Sequence, residues 1–342
     1  MDDDPVLLEV KGGIAVLSLN RPDRHNVMGD AMDALFFRYL DLVRNDRDVR
    51  VVVWRGEGES FSSGRDMVEL VGGDPAGGSG ATGATPPGGT PRISAEPPWA
   101  TPPGGTPAFG PPPDAPAVDG GDLLDLADER AGAPVGPVSG EVAVGRAWRR
   151  RGPRHGFGPS DVEVLDRSQW GVRMLADFPV PVVCALKGWT LGTAFERALL
   201  CDVRIAGESA RLALAGIDHG MIPDAAGLAK LHEIGGSALA MDLGLTGRRV
   251  GADEALRLGL VSQVVPDDEL DEVAYEVAAG IAERPPLVVR MVRDSVQALS
   301  APAVRSTLGR ELFGQAFVLS SHDFAEQRSA RAEDREPRYE RR

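Results

Sequence analysis

Half of the stretch between residues 71 and 120 is proline or glycine, 13 Pro and 12 Gly. Proline has no backbone donor and glycine has the most conformational freedom to lose, so such a stretch cannot build a packed core. Within it the octapeptide Ala-Thr-Pro-Pro-Gly-Gly-Thr-Pro occurs at 84–91 and again at 100–107. Two copies of a Pro/Gly unit read as low-complexity expansion, not as a solenoid, whose repeats must fold. Residues 122–130 carry a short helical pattern. The arginines at 146, 149, 150, 151 and 154 follow, either as a solvated charge run or as a partner-binding arm. The span 72–160 is therefore read as a disordered insertion. The flanks, 253 of the 342 residues, are long enough for one α/β domain.

The flanks alternate strand and helix signals. Residues 5–10 and 14–19 form a hairpin pattern around Lys11-Gly12-Gly13. Met32, Leu35, Phe36, Tyr39, Leu40 and Val43 recur at helical spacing. The runs 49–54 and 180–186 are continuously apolar, as in strands buried on both faces. Helices are expected over 161–176, 194–200, within 224–243, and over 252–258, 268–283 and 286–299, with a strand at 203–206. Short apolar strands separated by amphipathic helices imply a mixed α/β layer fold.

Charge and motifs narrow the function. The net charge of −14 argues against a nucleic-acid partner, which calls for a basic footprint. It leaves room for an anionic small ligand held by a few local arginines. Cys184 and Cys201 form no CxxC pair, so neither a disulfide framework nor a zinc site is expected, and no other metal site either. No apolar run reaches the roughly 18 residues of a membrane span, and the acidic start lacks a leader's apolar region. A cytoplasmic protein without membrane partners is the expectation. Walker, dinucleotide-binding, HExxH and GxSxG motifs are all missing.

Two glycine-containing turns remain, each between a buried strand and an incipient helix. One is Phe61-Ser62-Ser63-Gly64-Arg65-Asp66-Met67. The other is Gly188-Trp189-Thr190-Leu191-Gly192-Thr193-Ala194-Phe195-Glu196. Free amides at such turns favour negative charge, and two turns facing each other can hold a carbonyl oxygen as it becomes an enolate.

These residues resemble a known family. Leu19-Asn20-Arg21-Pro22-Asp23-Arg24-His25-Asn26 is similar to the LNRP signature of the enoyl-CoA hydratase/isomerase (crotonase) family. Residues 61–66 resemble its F-x-x-G-x-D turn, and 181–202 its PVIAAVNGxxxGGGxELALACD block. Leu245-Thr246-Gly247 and residues 252–265 match the segment beyond. The likeness covers about 250 residues in order, on both sides of the insertion.

The resemblance implies a crotonase fold, a spiral of ββα units. The core would comprise residues 1–71 and 161–265, followed by a C-terminal helical trimerisation region at 266–342. It implies an acyl-CoA thioester as substrate, no further cofactor, and a homotrimer or hexamer. By position the Arg65 and Thr193 amides would form the oxyanion hole. Arg24, Ser63, Gly64, Asp66 and Gly192 would bind the thioester and CoA.

Glu196 stands at the first catalytic Glu of the family's hydratases, whereas their second falls at Gly216, which has no proton to give. Asp224 falls where isomerase branches keep an acid/base carboxyl and a dehalogenase branch its nucleophile. Asp224 and Glu196 are thus the expected catalytic pair, for isomerisation ahead of hydration. Simpler readings also exist: Asp224 as a helix N-cap, Glu196 ion-paired with Arg197 or Arg204, Asp218 and His219 as a loop hydrogen bond, Trp189 as a pocket wall. In the C-terminal pattern Asp334 replaces a nucleotide-binding Lys, with Arg331, Arg335 or Arg338 as substitutes. The altered glycine triplet and the missing Glu motivate an alternative, a non-catalytic CoA-binding or interaction protein.

Overall fold

The computed structural model describes residues 4–67 and 169–340, all within one compact unit. The low-complexity insertion at 72–160, the 122–130 helix, the arginine-rich stretch and the start of the 161–176 helix lie outside the described residues.

The chain opens with the expected hairpin, β1 (Val6–Lys11) and β2 (Ile14–Leu19), paired antiparallel with Val6 opposite Leu19. Helix α1 (Asp30–Asn45) leads to β3 (Val51–Gly56). Beyond the insertion come helical residues 169–176 (α2), β4 (Val182–Leu186), β5 (Trp189–Leu191), α3 (Thr193–Ala198), β6 (Val203–Gly207) and β7 (Arg211–Ala213). Next are α4 (Gly227–Thr246), β8 (Val250–Gly251), α5 (Ala252–Arg257), β9 (Gln263–Val265) and α6 (Leu270–Ala282). The chain closes with α7 (Pro286–Leu319) and α8 (His322–Ala332).

The main sheet runs β1-β2-β3-β4-β6-β9, parallel throughout except for the hairpin. A second sheet, β5-β7-β8, takes strands from the same successive units. The α/β crotonase spiral with its C-terminal helical region is thus the observed fold.

The apolar runs form central strands because both faces are covered. Val52, Trp54 and Cys184 face one core, where the Trp54 ring meets Phe36 at 4.7 Å and Phe61 at 4.9 Å. The alternate residues Val51, Val53, Val183 and Ala185 face a second core. There α6 lays down Leu270, Ala274, Ala278 and Ala282, one residue per turn, and the small alanines let the helix lie close on the sheet. Both cysteines are buried and free.

The largest correction to the sequence reading is α7, expected to end at 299. It is 34 residues long and carries Pro302 within it. An interior proline normally ends or kinks a helix. Here Ser300, Val304, Leu308, Glu311, Gln315 and Ala316 are buried on one face, and that packing carries the helix through. The short strands β5, β7, β8 and β9 were also not foreseen, whereas α8 falls within the C-terminal helical region expected at 266–342.

Candidate active site

The two glycine turns are stitched together. Ser62 N donates to the Trp189 carbonyl at 2.9 Å, and Leu191 N donates to the Ser62 carbonyl at 3.0 Å. Gly64 (φ +89°) rests directly on the second turn, since a Cβ there would lie 2.5 Å from the Leu191 carbonyl oxygen and 3.8 Å from Gly192 Cα. Neither backbone geometry nor space admits another residue.

Each turn leaves the next amide free. Met28 N donates to Gly64 O at 2.8 Å and Asp66 N to Met28 O at 2.9 Å, which skips Arg65. Gly192 N is spent on the Ala213 carbonyl at 2.8 Å, and Thr193 opens α3. Among the described residues neither the Arg65 nor the Thr193 amide has an acceptor. Two unspent donors thus follow two touching glycines, as an oxyanion site requires.

The first turn is held from behind by Asn26, fully buried at φ +51°. Its side-chain amide donates to the Glu57 and Ser60 carbonyls, both at 2.8 Å, and its oxygen accepts from Arg21 N at 2.7 Å. Ser63 N donates to the His25 carbonyl at 2.9 Å. Arg24, on the Pro22–Arg24 turn, is half exposed and pairs at 3.2 Å with the buried Asp66.

Three carboxyls gather on the loop that enters α4. Glu196, on α3, accepts from Ala225 N at 2.9 Å and from Gly227 N at 3.4 Å. Gly227 makes this approach possible, because a Cβ there would lie 2.5 Å from Glu196 Cγ. Asp224 sits in the same loop, half-buried. The third, Glu311, comes from α7 and accepts from Ala226 N at 2.9 Å. The sequence reading passed over Glu311 because it ended the helix at 299. Its signal was a Glu on the buried stripe of Val304, Leu308 and Gln315.

Burial raises all three carboxyls. Glu196 lies well above the ordinary carboxylate range, from burial first and then from the charges of Asp224 and Glu311, against the two amide bonds. Burial also raises Asp224, with Arg65 and Arg197 pulling the other way. Glu311 is pushed up to about 8 by burial and by Asp224, against the Ala226 amide. Arg65, on the first glycine turn, is one of the charges that act on Asp224.

The simpler readings fare differently. Asp224 is no N-cap, since α4 is capped by Ala226 without a side-chain bond. Among the described residues Glu196 has no arginine partner: Arg197 binds Asp33 through two bonds of 2.7 and 3.0 Å, and Arg204 binds the Leu260 and Cys201 carbonyls. Asp218 and His219 do belong to a loop contact, with Gln327 on the Asp218 carbonyl and Arg331 on the His219 ring. Arg335 is engaged by Glu326 at 2.6 and 3.0 Å. Gly216 lies in the Ala215–His219 turn, where a Cβ would meet only ordinary contacts from 3.4 Å outward. Among the described residues no group of three or more His, Cys, Asp or Glu side chains could hold a metal ion. No described helix is long and apolar enough to cross a membrane.

Comparison with known proteins places the chain in a family. Residues 9–83 and 163–342 match the profile described as enoyl-CoA hydratase/isomerase. The chain is 26% identical over 334 residues to the 1,2-epoxyphenylacetyl-CoA isomerase of Escherichia coli K12, covering 98% of this chain and 97% of the relative. It is 32% identical over 202 residues to the carnitinyl-CoA dehydratase of Salmonella typhimurium LT2, 58% of this chain and 77% of the relative. The fold overlays a solved enoyl-CoA hydratase/isomerase from Pseudoalteromonas atlantica T6c with a TM-score of 0.68 at 21% identity, over 98% of this chain and all of that one. With a match that resumes on the far side of the proline- and glycine-rich stretch and spans most of the chain, this protein belongs to the enoyl-CoA hydratase/isomerase family.

Proposed function

We propose that the protein is an acyl-CoA isomerase, with a CoA thioester as its substrate and no further cofactor. The thioester oxygen would sit between the Arg65 and Thr193 amides. As a proton leaves the acyl chain, negative charge moves onto that oxygen, and each fixed donor stabilises it by about 3 kcal/mol. Asp224 would take the proton and return it at another carbon, with Glu196 as the second acid/base group. A carboxyl raised toward neutrality suits both halves of the transfer. Arg24, Ser63, Gly64, Asp66 and Gly192 would line the approach of the thioester and its CoA.

The observation that carries this reading is two unspent amides beside a loop with raised carboxyls. Isomerisation comes before hydration because Gly216 supplies no second acid for water addition. The isomerase named among the relatives agrees with that order, and the dehydratase keeps water chemistry as the competing reaction. The exposed apolar side chains on α7, including Leu287, Val292, Leu299, Phe313 and Phe317, support assembly as a homotrimer or hexamer.

The test supplies a 3-enoyl-CoA and crotonyl-CoA separately and follows the 2-enoyl absorbance. Gain of absorbance with the first is expected, abolished in Asp224→Asn. No change with either thioester, together with measurable acyl-CoA binding by calorimetry, would establish the non-catalytic alternative instead.

A further inference from the structure

The buried face of α7 runs Ser300, Val304, Leu308, Glu311, Gln315, the spacing of one helical stripe. Its last two members are polar, and both reach the loop that carries Asp224. Gln315 Oε1 accepts from Ile222 N at 3.0 Å, and Glu311 Oε2 from Ala226 N at 2.9 Å. Gln169 Nε2 joins the same two parts, donating to the Leu308 carbonyl at 2.9 Å and the Asp224 carbonyl at 3.2 Å. From the other side Glu196 takes Ala225 N. Asp224 is therefore held on both sides along the backbone, and Ala226 stands at φ +64°, a conformation an L-residue leaves unless it is held.

We propose that Glu311 is a positioning residue for Asp224: by binding the Ala226 amide it makes the long C-terminal helix set where the acid/base carboxyl stands. This rests on the reading of Asp224 as the proton-transfer group. Gln315 fills its position as a neutral side chain, whereas Glu311 is a carboxyl at 3% exposure, and its Oε1 has no partner among the described residues. A bare carboxylate buried in this way is costly, so the group keeps its proton through neutral pH, as its rise to about 8 reflects. The charged groups facing it are Asp224 on the loop and Glu196 on α3, with Arg65 and Arg197 acting on Asp224 from beyond. Gln315 on its own helix and Gln169 on α2 carry no charge.

The test compares Glu311→Gln and Glu311→Leu in the full chain, by hydrogen exchange and by turnover. In Glu311→Leu the amides of residues 222 and 224–227 should exchange at least about tenfold faster with β3 and β4 unchanged, and kcat should fall about 100-fold at constant KM. Glu311→Gln should restore both, because its amide oxygen accepts the same bond. Parent-like exchange in Glu311→Leu overturns the proposal. If the parent turns over no thioester while exchange responds, the reaction reading fails and the clamp stands.

Should Glu311→Leu not fold, the melting temperature against pH decides. The folded chain keeps the Glu311 proton to about pH 8, whereas the unfolded chain releases it near the usual 4.5. The folded state therefore binds more protons in that window, and stability falls as pH rises through it. Glu311→Gln should melt with a shallower decline than the parent, and faster exchange of the Ala226 amide in Glu311→Gln than in the parent overturns the proposal.

Discussion

Glu196 and Arg197 are neighbours on one six-residue helix and both are buried, at 3% and 1% exposure, yet the fold treats them oppositely. Arg197 points into an ionic group that is closed. Asp33 meets it through two bonds, and Arg65 binds Asp30 at 2.8 Å and reaches Asp33 at 3.6 Å. Burial pushes Asp33 up, but the two guanidiniums outweigh it and hold its carboxyl below the ordinary value. Glu196 points into a group that is open. Its companions are Asp224 and Glu311, its hydrogen bonds come from amides, and all three carboxyls are raised. Burial alone therefore does not decide whether a charge is structural. A paired counter-charge holds the first group's carboxyl below its ordinary value, and without an ion pair of their own the three carboxyls of the second are raised by burial.

The sharpest way to break this contrast is to remove a member of the open group. Asp224→Asn should lower kcat by roughly 10²–10⁴-fold, the usual worth of a positioned acid/base group, while the melting temperature stays level or rises. Steady-state kinetics beside a thermal melt checks both. Neutralising the closed group should do the reverse. Asp33→Asn leaves Arg197 buried without its counter-charge and should cost about 3–5 kcal/mol in denaturant unfolding. A small loss there would mean the closed group is not holding α1 against α3.

A third variant acts on the open group through space alone. Gly227→Ala drives a Cβ into Glu196 Cγ at 2.5 Å, so overpacking should cost about 1–3 kcal/mol and kcat should fall with the displaced carboxyl. The smallest effect is expected outside both groups. Arg24→Ala breaks a half-exposed pair with Asp66 and should change stability by less than about 1 kcal/mol. If Arg24 meets CoA, its KM for a thioester should rise while kcat holds, which steady-state kinetics reads directly.

Much of this was legible in one dimension, for identifiable reasons. The hairpin was visible as two runs around Lys11-Gly12-Gly13, and β3 and β4 because strands covered on both faces must be continuously apolar. The two glycine turns were visible because glycine marks backbone that other residues cannot adopt, as Gly64 shows. Glu196 and Asp224 stood out through their motif positions. The end of α7 was misjudged because Pro302 is a local stop signal, and only the burial of Val304, Leu308 and their neighbours overrides it. Glu311 was missed with it. The short strands of two or three residues carry too little pattern to be seen.

The order of strands and helices, the insertion between them and the presence of two amide-bearing turns follow from local chemistry, because backbone preference and apolar periodicity are properties of neighbours in the chain. Which buried charge is answered and which is left open could be decided only in three dimensions. Asp33 and Arg197 are 164 positions apart, and Glu311 lies 85 positions from the Ala226 amide it binds. Electrostatic interaction depends on distance through space, and the separation of two residues along the chain says nothing of that distance until the helices have packed.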